Sequence, residues 1–128
     1  MFGDAAVRVI ARGGMRSLTH RSVDEEAGLP PGSVNYYAPT RAKLLHLAFT
    51  SVAKETMGYA TNAFLPIVGT TPTPDEVLDC TVDFIFTTAI DGRGTTVARN
   101  VLNAEAQFDD ELLTMVLATR EEFVVFTD

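Results

Sequence analysis

Residues 27–40 read AGLPPGSVNYYAPT, and this stretch decides the fold of the first part of the chain. Gly28 is predicted to end a helix, because glycine supplies the left-handed backbone at which helices commonly terminate. Pro31 marks the start of the next helix at about its own position, since a proline at the first helical position loses no hydrogen bond. Pro39 then disfavours helical geometry at Ala38, so that helix must be short.

Helices are predicted on both sides of this stretch. Apolar residues at spacings of three and four predict a first helix over 4–13, ended by a glycine pair. Thr19 is the predicted N-cap of a second, short helix that ends at Gly28, and Thr40 is the predicted cap of a long helix running to residue 65. Two short helices joined by a tight glycine-containing turn form a helix-turn-helix, which places its second helix in the DNA major groove. The same geometry also serves as plain packing in many helical proteins.

The remainder of the chain also predicts helices. TPDE at 73–76 has the signature of a helix start with Thr73 as its predicted cap, and DGRG at 91–94 separates that helix from the next. Residues 95–108 and 109–126 follow as two further helices, the second opening with acidic residues. Because no useful strand alternation occurs, the predicted fold class is all-α with about seven helices.

Composition limits the function classes. The 128 residues suit one compact domain, or a small one joined to part of another, and 46% apolar residues suffice for a core. No run of about 18 apolar residues and no signal-peptide pattern occurs, so we expect a cytoplasmic protein with no membrane partner. The single cysteine, Cys80, with His20 and His46, gives no metal-ligand pattern, and no metal or cofactor is predicted.

Charge is distributed unevenly along the chain. The net charge is −7, yet the first 54 residues hold seven lysines and arginines against four acids, or +3, which leaves −10 for the rest. A basic segment at one end of an acidic body suits a nucleic-acid contact confined to that end, because phosphate neutralisation is local. The alternative is a chance fluctuation in solvated charge.

The segment over residues 4–54 resembles the DNA-binding head of the TetR (tetracycline-repressor-type) transcriptional regulators. The matching positions follow the family pattern without a gap: Thr19, 27–29, 32–37, 39–41, Leu44 and Leu45. Three positions depart from that pattern. Asn35 stands where an aromatic residue is usual, Ala38 where a phenylalanine commonly anchors the turn, and Pro31 where a polar residue is frequent. We expect Tyr37 or Phe49 to fill the space beside Ala38.

The position of the second helix in the groove and the family resemblance together imply a set of DNA-contacting residues: Thr19, Arg21, Ser33, Asn35, Tyr36, Tyr37, Arg41 and Lys43. Asn35 and Tyr36 are expected to read bases or sugars, with the Asn35 amide suited to a bidentate contact with adenine. The others position the backbone, with Arg41 or Lys43 providing charge to phosphate. Val34 is expected to face inward, with Tyr37 as a second inward candidate. For Tyr36 the alternative is half-buried packing, and for Arg8, Arg12 and Arg16 a solvated face.

The resemblance further implies a DNA-binding domain at 1–46 and a helical regulatory domain at 47–128, which binds a small-molecule effector. Effector candidates combine apolar and weakly polar groups: Met57, Cys80, Phe84, Thr88 and Asn103; the alternative is that they belong to the core. The family normally has two further helices that form its dimer interface. We therefore expect a homodimer whose chain is C-terminally incomplete here, or one that dimerises differently.

The predicted function is a bacterial transcriptional regulator, a repressor released from double-stranded operator DNA by its effector. The alternative is a helical protein-interaction module that keeps the helix-turn-helix without specific DNA binding, motivated by the acidic body and by Asn35. An enzyme is not predicted, because neither His20 nor His46 has a Ser, Cys or Asp partner at catalytic spacing.

Overall fold

A computed structural model describes the backbone of residues 1–127 and the side chains of residues 1–118. In chain order the helices are α1 (Phe2–Gly13), α2 (His20–Ala27), α3 (Ser33–Tyr37), α4 (Arg41–Phe64), α5 (Pro74–Ile90), α6 (Arg93–Ala106) and α7 (Asp110–Thr127). Two short 3-10 helices, Met15–Ser17 and Leu65–Ile67, follow α1 and α4. No strand occurs over residues 1–127, and the predicted all-α class with a three-helix N-terminal head is confirmed.

The helix starts follow from capping chemistry. Thr19, Thr40 and Thr73 precede α2, α4 and α5, and each hydroxyl accepts the backbone N–H three residues on, at 3.0, 3.2 and 3.2 Å. These three predicted caps are confirmed. Gly28 adopts a left-handed conformation at φ 72° and ends α2, as predicted.

The start of α3 differs from the prediction, which put it at about Pro31. Gly32 has φ 91°, a left-handed conformation that interrupts a right-handed helix, so α3 begins at Ser33. The Ser33 N–H instead closes a turn on the Pro30 carbonyl at 3.2 Å. α3 is therefore five residues long.

One hydrophobic core joins the first helices to the later ones. α1 packs against α2, α4 and α6, and α4 also contacts α5 and α7. Ile10 of α1, Leu44 of α4 and Leu102 of α6 are all fully buried in the same cluster. α4 thus extends from the helix-turn-helix into the body and contacts helices of both.

Within the part of the chain that the structure describes, no helix is long and apolar enough to cross a membrane. Over the same residues, no group of three or more His, Cys, Asp or Glu side chains is placed to hold a metal ion.

Candidate nucleic-acid interface

The outer face of α3 is exposed to solvent. Tyr36 is 86% exposed and Tyr37 65%, while Val34 is fully buried beneath them and Asn35 is exposed. The half-buried alternative for Tyr36 is therefore wrong, as is the suggestion that Tyr37 turns inward. α3 is anchored by one valine and presents an amide and two phenols outward.

The two tyrosines form a supported aromatic row. The Tyr37 ring lies 5.3 Å from the ring of Phe2 at the start of α1, and Tyr36 meets Tyr37 edge-on at the same centroid distance. Phe2 was not among the residues predicted from the sequence. No local signal indicates its role, because its partner lies 35 residues away.

Two side chains of α2 bind the backbone of α3. Asp24, 2% exposed, accepts the N–H of Val34 at 2.8 Å and that of Gly32 at 2.9 Å. The His20 Nε2 atom lies 2.8 Å from the Ala38 carbonyl oxygen. Sequence reasoning missed both residues. The only sequence signal for the burial of Asp24 was its position next to Val23, which was predicted to face inward on α2.

The space beside Ala38 is not filled by Tyr37, which is exposed. Ala38 is fully buried and belongs to the same core cluster as Phe49, which is 5% exposed.

Positive charge flanks α3 on α2 and α4. Arg21 is exposed and pairs with Glu25 at 3.2 Å, a contact of low energy between two solvated side chains. The Arg41 guanidinium donates to the Leu18 carbonyl at 2.7 Å and to the Met15 carbonyl at 3.2 Å. Lys43 is exposed on the first turn of α4.

Arg41 therefore joins the start of α4 to the segment before α2. Together with the His20 contact to Ala38, this brings the starts of α2 and α4 to the end of α3. The predicted contacts Thr19, Tyr37 and Arg41 lie in this region.

Arg8 and Arg12 bind within the head. Both donate to the Glu26 carboxylate at 3.0 Å, and they link α1 to α2. The Arg12 and Arg8 guanidinium groups hold the pKa of Glu26 below its ordinary value of 4.5. Arg8, Arg12 and Arg16 are all exposed, as the solvated-face alternative has it, and the first two also pair with Glu26 at the surface.

A sequence profile of the family described as "Bacterial regulatory proteins, tetR family" matches residues 3–48. The N-terminal segment of the chain therefore matches the tetR family, as the resemblance predicts. No curated protein and no solved structure gives a significant match. The match covers α1, α2 and α3 and the first turns of α4, so the exposed face of α3 lies within a TetR-type DNA-binding domain.

The predicted effector candidates fall on three helices of the body, α4, α5 and α6. Cys80 and Thr88 of α5 are buried, and the Thr88 hydroxyl donates to carbonyls of its own helix, at 2.9 Å from Phe84 O and 3.0 Å from Ile85 O. Phe84 is half-buried with its ring 6.4 Å from Phe64, Met57 is half-buried on α4, and Asn103 is exposed on α6. Asn103 thus differs from the other four candidates, which are buried or half-buried.

None of these candidates lines the large open cleft found among the described residues. That cleft, about 1210 Å³ and open to solvent, lies between α1, α4 and the start of α6. Its walls carry charges of both signs, among them Arg12, Lys54 and Glu55, with His46 beside them. The Tyr59 hydroxyl donates to Glu55 at 3.2 Å, and burial together with Glu55 raises the pKa of Tyr59.

Proposed function

We propose that the protein is a repressor that binds operator DNA through α3 and is released when a small-molecule effector binds the body. The observation that carries the proposal is the outer face of α3. Large side chains such as Tyr36, at 86% exposure, are left in water on a helix whose opposite face is buried. An exposed row of hydrogen-bonding and aromatic groups on the second helix of a helix-turn-helix fits a major groove.

Each α3 residue has a proposed role. Asn35 donates and accepts hydrogen bonds at an adenine edge, and Tyr36 contacts a base or sugar beside it. Ser33 and Tyr37 contact the sugar-phosphate backbone. The Ser33 hydroxyl already donates its proton to the Pro30 carbonyl at 2.6 Å. Because phosphate oxygens can only accept a hydrogen bond, the contact of Ser33 with the DNA backbone would be bridged by a water molecule.

The proposed phosphate contacts lie on the two flanking helices. Arg21 and Lys43 are exposed, and Thr19 is exposed at the start of α2. Arg41 retains its charge and three N–H groups beyond the two that bind carbonyls, so it can bind a phosphate without leaving Leu18 and Met15.

Regulation requires two heads. We assign 1–46 to DNA binding and 47–128 to the regulatory body, and infer a homodimer, since two heads about 34 Å apart reach consecutive major grooves. An effector bound near Met57, Cys80, Phe84 and Thr88, with Asn103 at its edge, would move α4 and change the separation of the heads.

The test is fluorescence anisotropy with a duplex that the protein selects from a random-sequence pool, against a scrambled duplex, at several salt concentrations. We expect preference for the selected duplex, and we expect the logarithm of the binding constant to fall linearly with the logarithm of salt concentration. Equal affinity for both duplexes, from a folded protein of known oligomeric state, would contradict operator binding.

The second candidate function is a protein-interaction module. It is favoured by the exposed apolar side chains of α5, of which Leu78 is 58%, Ile85 56%, Phe86 61% and Ile90 68% exposed. Binding through such a face depends little on salt, whereas phosphate contacts give a steep dependence, so the same titration separates the two functions.

A further inference from the structure

The recognition helix α3 has little stability of its own. It has five residues, fewer than the number that forms a stable isolated helix, and a single fully buried side chain, Val34. Its N-cap is Gly32, which has no side chain to accept the free N–H groups of the first turn. The orientation of α3 must therefore be set by another element.

Asp24 of α2 supplies the missing acceptors. One carboxylate oxygen accepts the Val34 N–H at 2.8 Å and the other accepts the Gly32 N–H at 2.9 Å. The carboxylate is 2% exposed, so water does not compete for these bonds. Hydrogen bonds to an ionised acceptor are short and about twice as strong as neutral ones.

His20 binds the other end of the same helix. The Ala38 carbonyl can only accept, so the His20 Nε2 atom must carry the proton in this 2.8 Å contact. His20 and Asp24 are four residues apart and share one face of α2. One face of α2 thus holds both ends of α3, and we call these two side chains with Gly32, Val34 and Ala38 the clamp.

Within the clamp, the His20 and Asp24 side chains bond only to backbone atoms of the α3 segment. The clamp leaves Asn35 and Tyr36 free on the outer face while fixing the rotation of α3 about its own axis. Ala38 provides no large apolar anchor, since its side chain is a single methyl group. Polar bonds from α2 take the place of side-chain packing here.

We propose that Asp24 and His20 are positioning residues that set the DNA sequence discrimination of α3. The inference rests on the proposed operator binding. Direct contacts to base edges require side-chain placement within a few tenths of an ångström, whereas phosphate contacts tolerate a rotated helix. Loss of the clamp therefore lowers the preference among sequences more than it lowers affinity for DNA in general.

The test uses the full chain and two duplexes: one selected by the wild-type protein from a random pool, and a scrambled one. The readout is the preference ratio, the Kd for the scrambled duplex divided by that for the selected one. Asp24→Asn places an amide N–H against a backbone N–H, and we expect its preference ratio to fall about tenfold or more, with Kd for the scrambled duplex changed by less than about threefold.

Two matched variants separate positioning from charge and from folding. Glu25→Gln removes the same charge from the same helix without touching α3, so its preference ratio should stay within about twofold of wild type. His20→Gln keeps an N–H donor and should retain most of the preference, whereas His20→Phe should lose it. Circular dichroism and a cooperative thermal melt establish that each variant is folded.

The possible results distinguish failure of the positioning inference from failure of the proposed operator binding. A folded Asp24→Asn protein with the wild-type preference ratio overturns the inference while operator binding stands. If Asp24→Asn does not fold, His20→Phe decides in its place, and an unchanged ratio there overturns the inference. If wild type itself prefers no duplex, the proposed function has failed, and the inference fails with it.

Discussion

Replacement of Arg41 separates two roles that one side chain holds in the structure. Arg41 donates to the Leu18 and Met15 carbonyls at 2.7 and 3.2 Å, and it is also a proposed phosphate contact. Hydrogen bonds from a charged donor contribute about 1.5 to 3 kcal/mol when sheltered, and an exposed side chain contributes less. For Arg41→Ala we expect a loss of about 1 to 2 kcal/mol in the free energy of unfolding.

The thermal shift follows from chain length. An unfolding entropy of about 2.1 cal/mol/K per residue gives about 0.27 kcal/mol/K for 128 residues. The expected loss in free energy therefore lowers Tm by about 4 to 7 °C. Arg41→Lys keeps the charge but not the planar fork that reaches two carbonyls, so it should show most of the same loss in Tm.

DNA binding should distinguish Arg41→Ala from Arg41→Lys. Arg41→Ala should weaken binding to every duplex and reduce the slope of log K against log salt by about 0.9, the value for one phosphate contact. Arg41→Lys should restore most of that slope. An unchanged Tm for Arg41→Ala would refute the structural role, and an unchanged salt slope would refute the phosphate role.

Three other replacements test the remaining features. Tyr36→Ala should leave Tm within about 2 °C, because the side chain is 86% exposed, yet reduce preference for the selected duplex; equal preference would refute its reading role. Glu26→Gln should lower stability at neutral pH, and the difference from wild type should vanish as pH falls through the depressed pKa of Glu26, since the ion pairs stabilise only above it; urea unfolding across pH measures this, and a pH-independent difference would contradict it. Leu102→Ala, at a fully buried site, should cost about 2 to 5 kcal/mol by the same measurement, and a cost below about 1 kcal/mol would mean that the core collapses around the site.

The effector candidates illustrate a limit of sequence patterns. Only the mixture of apolar and weakly polar groups marks Met57, Phe84 and Thr88 as candidates, and core residues and pocket residues share that mixture. The structure places Thr88 with its hydroxyl bound to its own helix and leaves Asn103 exposed, whereas the open cleft lies against α1. Which residues enclose a cavity depends on how the helices pack, and no local pattern carries that information.

The residues that hold α3 show the same limit at shorter range. Asp24 was counted only as one of the four acids of the head, because an aspartate on a short helix is usually solvated. Its burial follows from the packing of α2 against α3, which brings two backbone N–H groups to the carboxylate. Arg41 was assigned to phosphate for its charge, and its bonds to Leu18 and Met15 join residues more than 20 positions apart.

The sequence by itself determined the all-α class, the three threonine caps, the end of α2 at Gly28 and the helix-turn-helix, because these depend on backbone preferences within a few residues. It also determined that the groups on α3 are an amide and two phenols. Only the tertiary structure decided that α3 begins at Ser33, that Tyr36 faces solvent and that Asp24 is buried beneath the recognition helix. The start of α3 depends on the left-handed conformation of Gly32, whose N–H is bound by Asp24 of α2, and the other two features depend on how the helices pack against one another.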